Sequence, residues 1–132
     1  VVVAVTPVNR PREILALLVP ADPNRPVRSL LLPVSSRAFS DAIGGGLLDD
    51  SLTATAPDSQ AVAFYLDELR VERNLPFNPR AAVLAGRLGL YDPGVFPTLR
   101  GDLLVTGLTA DGSDVDVPHR VLTVLADGPA GP

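Results

Sequence analysis

Asp67-Glu68, then Leu75-Pro76-Phe77-Asn78-Pro79-Arg80-Ala81-Ala82, and finally Gly101-Asp102 mark out the stretch whose reading decides the fold. Asn78 before Pro79 is a helix start: the Asn side chain can accept from an unsatisfied backbone N–H, and proline's missing donor costs nothing in the first turn. A helix is predicted from Pro79 to Leu88, with Ala82, Val83, Gly86 and Leu90 on one face, Gly86 allowing close packing and Gly89 acting as the stop. Gly101-Asp102 then opens Leu103 to Leu108, a strand that Ala110-Asp111-Gly112-Ser113 turns back as a hairpin. On the other side, Ala61 to Leu66 is short, apolar and aromatic, the best candidate for a central strand. Past the Asp67-Glu68 turn, Leu69 and Val71 alternate with Arg70 and Glu72 as a half-buried strand would.

Outward from this stretch, proline sets the lengths. Pro7, Pro11, Pro20, Pro23, Pro26 and Pro33 interrupt the first third, so its elements are short. Arg12 to Val19 and Val27 to Leu32 read as two strands of a hairpin, joined through Pro20-Ala21-Asp22-Pro23-Asn24. Ser35 or Ser36 caps a short helix through about Ile43, with Phe39, Ala42 and Ile43 on one face, and Gly44-Gly45-Gly46 ends it. Leu47 to Ala56 is a weaker strand before a turn at Pro57-Asp58-Ser59. Tyr91 to Arg100, with Pro93, Gly94 and Pro97, is an irregular loop. After the hairpin turn, Asp116 as cap and Pro118 in the first turn favour a final helix over a further strand.

Short strands joined by turns argue for an α+β fold: a single compact domain, a mainly antiparallel sheet with two or three short helices on one side. Residues 1–11 form an N-terminal arm, 12–126 the domain and 127–132 an irregular tail.

With 46% hydrophobic residues and a mean hydropathy of +0.27, disorder throughout is excluded. Apolar runs such as Ile14 to Val19 fall far short of the roughly 18 residues of a spanning helix. Cysteine is absent, which removes disulfides and thiolate chemistry; a cytoplasmic location is the simplest expectation. Every basic residue is Arg and none is Lys, as a GC-rich genome would produce. A net charge of -4 disfavours nucleic acid as a partner. The charge also comes in blocks: residues 1–40 are basic, 41–69 wholly acidic, 70–100 basic and the C-terminal block acidic, a pattern expected to pair within the fold.

No set of residues suffices for a reaction. Asp67 and Glu68 are neighbours, and on a strand they face opposite ways, so turn carboxylates or a pairing with Arg70 or Arg73 is expected. His119 is the single imidazole and reads as a helix-start or surface residue. Asp111 to Asp116 superficially resembles a calcium loop, but its glycine comes too early and no terminal Glu follows. Gly44 to Gly46 lacks the Lys and Ser/Thr of a phosphate loop. No catalytic, cofactor or metal site is therefore assigned. A possible binding surface comprises Asp67, Glu68, Asn78, Arg80, Arg87, Tyr91 and Arg100.

The order of Gly45-Gly46, Asp67-Glu68, Leu75-Pro76, Asn78, Ala81, Gly101-Asp102 and Val105-Thr106-Gly107 resembles an uncharacterised domain-of-unknown-function family of small phage, plasmid and bacterial proteins. The likeness spans roughly residues 12 to 125. It implies a mobile-element context and supplies no catalytic residue. The expected role is a non-enzymatic accessory protein that binds protein or itself. The alternatives are a structural component of a virion or other assembly, and an anion or small-molecule binder or enzyme using the 91–100 loop with Arg80, Arg87 or Arg100. No membrane association is expected.

Overall fold

The computed structural model describes residues 12–54, 60–90 and 92–126. The expected arm at 1–11, the turn at Pro57-Asp58-Ser59, Tyr91 and the tail at 127–132 lie outside the described residues.

Six strands are described: β1 Glu13–Val19, β2 Arg28–Pro33, β3 Leu48–Ala54, β4 Ala61–Asp67, β5 Leu103–Leu108 and β6 Asp114–Val115. They form one antiparallel sheet in the order β2-β1-β5-β4-β3, with β6 also on β5. β5 is the middle strand and β4 its interior neighbour. The helices are α1 Ser36–Ala42, α2 Pro79–Arg87 and α3 His119–Ala126, with a short 3-10 turn at Phe96–Thr98. None of the helices among the described residues is long and apolar enough to cross a membrane.

Alternation along the interior strands feeds two cores. Leu17, Val19, Val62, Phe64, Leu66, Leu103 and Val105 face one side and meet Ala81, Leu84, Ala85, Leu88 and Val121 of α2 and α3. Ile14, Ala16, Leu18, Ala63, Tyr65 and Leu104 face the other, where Phe39 and Ile43 from α1 cover them. The helices therefore do not all sit on one side of the sheet. Burial on both faces explains why β1, β4 and β5 read as continuous apolar runs rather than alternating ones.

Two local expectations are corrected. The buried face of α2 is Ala81, Leu84, Ala85 and Leu88, spaced i, i+3, i+4, i+7, and not the face with Ala82, Val83 and Gly86; a Cβ at Gly86 would meet open space. The segment after β4 is a series of turns over residues 68–74, not a strand, and Leu69 and Val71 are exposed. Its alternation loses to local hydrogen bonding: Asp67 Oδ1 accepts from the Leu69 N–H at 2.8 Å, and the Asp67 carbonyl accepts from the Arg70 N–H at 3.1 Å.

The caps hold as expected. Ser35 accepts from the Ala38 N–H at 3.0 Å and Asn78 from the Ala81 N–H at 3.0 Å. Asp116, expected to cap α3, instead accepts from the Leu15 N–H at 2.8 Å. This bond, with Val117 N–H donating to the Leu15 carbonyl at 2.8 Å, ties the β6 end to the same edge of β5 that carries β1. The crowding there makes Gly107 obligatory, since a Cβ would lie 2.4 Å from the Asp116 carbonyl oxygen.

Candidate functional site

The charge blocks pair across the fold. Arg25 bridges to Asp102 at 3.4 Å, Arg70 to Asp49 at 2.8 Å, and Arg73 to Asp67. Each pair joins a basic block to an acidic one.

Asp67 is buried at the end of β4 with both carboxylate oxygens engaged, by the Leu69 N–H and by Arg73. Arg70, also buried, donates to Asp49, to the Asp67 carbonyl at 3.1 Å and to Thr98, so it locks the turn to β3 and to the loop before β5. Glu68 is exposed, its N–H held by the Leu47 carbonyl at 2.8 Å. His119 is the first residue of α3 and exposed. Its neighbours Pro118 and Arg120 line a cavity with Gln60 and Val62, at the opposite end of β4 from Asp67. The five-residue step along the strand from Val62 to Asp67 puts about 17 Å between the two ends, so Asp67, Glu68 and His119 share no cavity.

Of the remaining members of the expected surface, Asn78, Arg80, Arg87 and Arg100 act as joints. Asn78 has no exposed surface; its Nδ2 donates to the Val19 carbonyl at 2.9 Å and the Gly101 carbonyl at 3.0 Å while Oδ1 caps α2. One side chain thus ties β1, the start of β5 and α2 together. Arg80 donates to the carbonyls of Pro20, Asp22 and Arg25 at 2.7, 2.9 and 2.8 Å and clamps the β1–β2 turn. Arg87 holds the Val124 carbonyl of α3 at 3.1 Å, and Arg100 the Leu75 carbonyl at 2.9 Å. The guanidinium groups of Arg80, Arg87 and Arg100 thus donate to backbone carbonyls at three separate joints.

Two features escaped sequence reasoning. The first is a polar knot: the Tyr65 hydroxyl donates to Asp114 Oδ1 at 2.6 Å, and the Thr106 hydroxyl donates to the same oxygen at 2.8 Å. Burial, then the Asp114 carboxylate, pushes the Tyr65 hydroxyl well above the usual 10.0. It borders a cavity of about 240 Å³ with Phe39 and Asp50. The Tyr65 and Phe39 rings meet in a tilted arrangement with centroids 5.1 Å apart, so the Tyr65 ring is packed as core.

The second is an open groove of about 770 Å³ between α2, α3 and the β1–β2 hairpin. Leu17, Val27, Pro79, Val83, Leu122 and Leu125 supply its apolar lining, and Ser29, Arg28 and Arg80 the rest; among the described residues no carboxylate lines it. In a chain with 15 acidic and 11 basic residues, that is a local reversal of charge. Leu31, two residues along β2 and on the same face as Ser29, is 63% exposed.

Among the described residues no strand pairs with the outer edge of β2, beside this groove. β1 and β2 pair in unbroken register, and the Val34 N–H donates to the Arg12 carbonyl at 2.9 Å. Antiparallel alternation then turns Leu30 and Leu32 towards β1 and the backbone groups of Ser29 and Leu31 outward. Nothing in the sequence distinguishes Leu31 from Leu30 and Leu32; only the strand's place at the edge does. Among the described residues no group of acidic and histidine side chains forms a metal site.

Comparison with known proteins finds no matching family model, no similar curated protein and no similar solved structure. In the fold Leu75, Pro76, Asn78, Ala81 and Gly101 meet: a Cβ at Gly101 would lie 2.8 Å from Leu75 Cδ1, Gly101 N–H donates to the Pro76 carbonyl at 2.7 Å, and Asn78 binds both Gly101 and Ala81.

Proposed function

We propose that this chain is a non-enzymatic accessory protein that works by binding protein, and that it binds through the β2 edge and the groove beside it. The observation that carries this reading is the coincidence of three features on one side of the molecule: a β2 edge that no strand among the described residues pairs with, the exposed Leu31, and an apolar groove of about 770 Å³. An open sheet edge supplies directional hydrogen bonds and the groove supplies side-chain specificity, the combination by which extended segments are captured. Engagement of the named polar residues in caps and joints supports a binding role over a catalytic one. The phage or plasmid setting, with a cytoplasmic or virion location, rests on the motif resemblance.

The test is capture from cells of the native host by wild-type protein and by two folded variants. Val83→Glu in the groove is expected to lose the proteins that wild type retains, and Thr53→Glu on β3 is expected to keep them. Retention by Val83→Glu, or equal loss from both variants, contradicts the assignment.

A further inference from the structure

We propose that the β2 edge is a self-complementary interface that joins two copies of this chain about a two-fold axis through Leu30, making one continuous sheet. This deepens the binding reading and rests on it. With Leu30 opposite its own counterpart, Ser29 and Leu31 of one copy exchange N–H and C=O groups with Leu31 and Ser29 of the other, so the outward groups of the strand centre are satisfied reciprocally. The same register sets the exposed Leu31 across from Ser29 of the second copy, and Ser29 lines the groove. The apolar knob of each copy is thereby carried to the apolar hollow of the other, two residues along the same strand face. Charge permits the pairing: Arg28 lies opposite Leu32, and the two Arg28 residues stand about 13 Å apart along the strands. Pro33, which has no N–H, and Arg28 bracket the pairing region and limit it to its centre.

The chain contains no cysteine, so single cysteines report the register directly. Leu30→Cys, Leu31→Cys and Thr53→Cys are each incubated as the full chain in oxidised glutathione, with circular dichroism to confirm folding and native mass to read wild-type association. Opposed Leu30 positions form a narrow pair of about 4.5 Å between Cα atoms, within reach of a disulfide. Covalent dimer is expected at least tenfold faster from Leu30→Cys than from Thr53→Cys, and wild type is expected to run as a dimer that Leu31→Pro converts to monomer. Equal rates from Leu30→Cys and Thr53→Cys, or a monomeric wild type, overturn the proposal; fastest cross-linking from Leu31→Cys overturns the register. If the dimer fails while Val83→Glu still abolishes capture of other proteins, the binding reading survives and only the self-pairing falls.

Discussion

At β3 the sheet ends on a strand whose register shifts between Asp49 and Leu52, with Asp50 exposed and Asp49 tied inward by Arg70; at β2 it ends on Ser29-Leu30-Leu31-Leu32 in unbroken register, with Leu31 63% exposed. Bulges and charges keep an edge from pairing with another chain, and a regular apolar edge invites it. One sheet therefore carries a closed side and an open one. The difference lies in where polar groups sit: on the acidic side Arg70 engages Asp49 and Arg73 engages Asp67, while among the described residues the groove beside β2 is lined by arginine and by no acid.

The comparison breaks most visibly at Arg70. Arg70→Ala removes the buried partner of Asp49 and the donor to the Asp67 carbonyl, and is expected to cost about 3–5 kcal/mol in urea unfolding, without altering association at β2 in the folded fraction. A pair of prolines sharpens it next. Leu30→Pro deletes a bond to β1 and is expected to cost about 3 kcal/mol. Leu31→Pro touches only an outward N–H and is expected to cost about 1 kcal/mol or less, while abolishing self-association in sedimentation velocity. Equal costs would mean that the edge is not where the register puts it.

On the closed side, Tyr65→Phe removes the hydroxyl that Asp114 accepts and is expected to cost about 2 kcal/mol at neutral pH. Because the folded state holds the Tyr65 proton above the usual 10.0, this contribution is present below pH 10 and is lost as pH rises beyond it. Tyrosinate absorbance for this residue should appear only with unfolding, and stability of the Phe variant should fall less steeply in alkali. The smallest effect on folding is expected from Leu31→Thr, within about 0.5 kcal/mol, with a clear loss of dimer on dilution.

Much of the closed architecture was legible because local chemistry and tertiary need agree there. Asn78-Pro79, Ser35 and the β1–β2 turn each declare an element boundary through side-chain hydrogen bonding or a fixed backbone angle, and the charge blocks announce ion pairs. The turns after Asp67 were misread because Leu69 and Val71 alternate like a strand, whereas the Asp67 carboxylate bends the backbone back. The buried face of α2 is hard to see in the sequence because Ala81 and Ala85 are small and carry little pattern, although they are fully buried. The site itself left almost no trace in sequence: Leu31 differs from Leu30 and Leu32 only in which way the pleat turns it, and the groove is assembled from β1, β2, α2 and α3, far apart in the chain. Arginines that look like ligand clamps hold carbonyls, a role that needs no recognisable spacing.

The central claim is that the outward amides of β2 are available and become paired. Amide exchange of Ser29 and Leu31, followed by NMR across a dilution series, tests it most directly. The account predicts slow exchange at high concentration that rises to the open-chain rate on dilution, while Leu30 and Leu32 stay protected by β1 throughout. Free exchange of Ser29 and Leu31 at every concentration, or protection that dilution does not relieve, would contradict it.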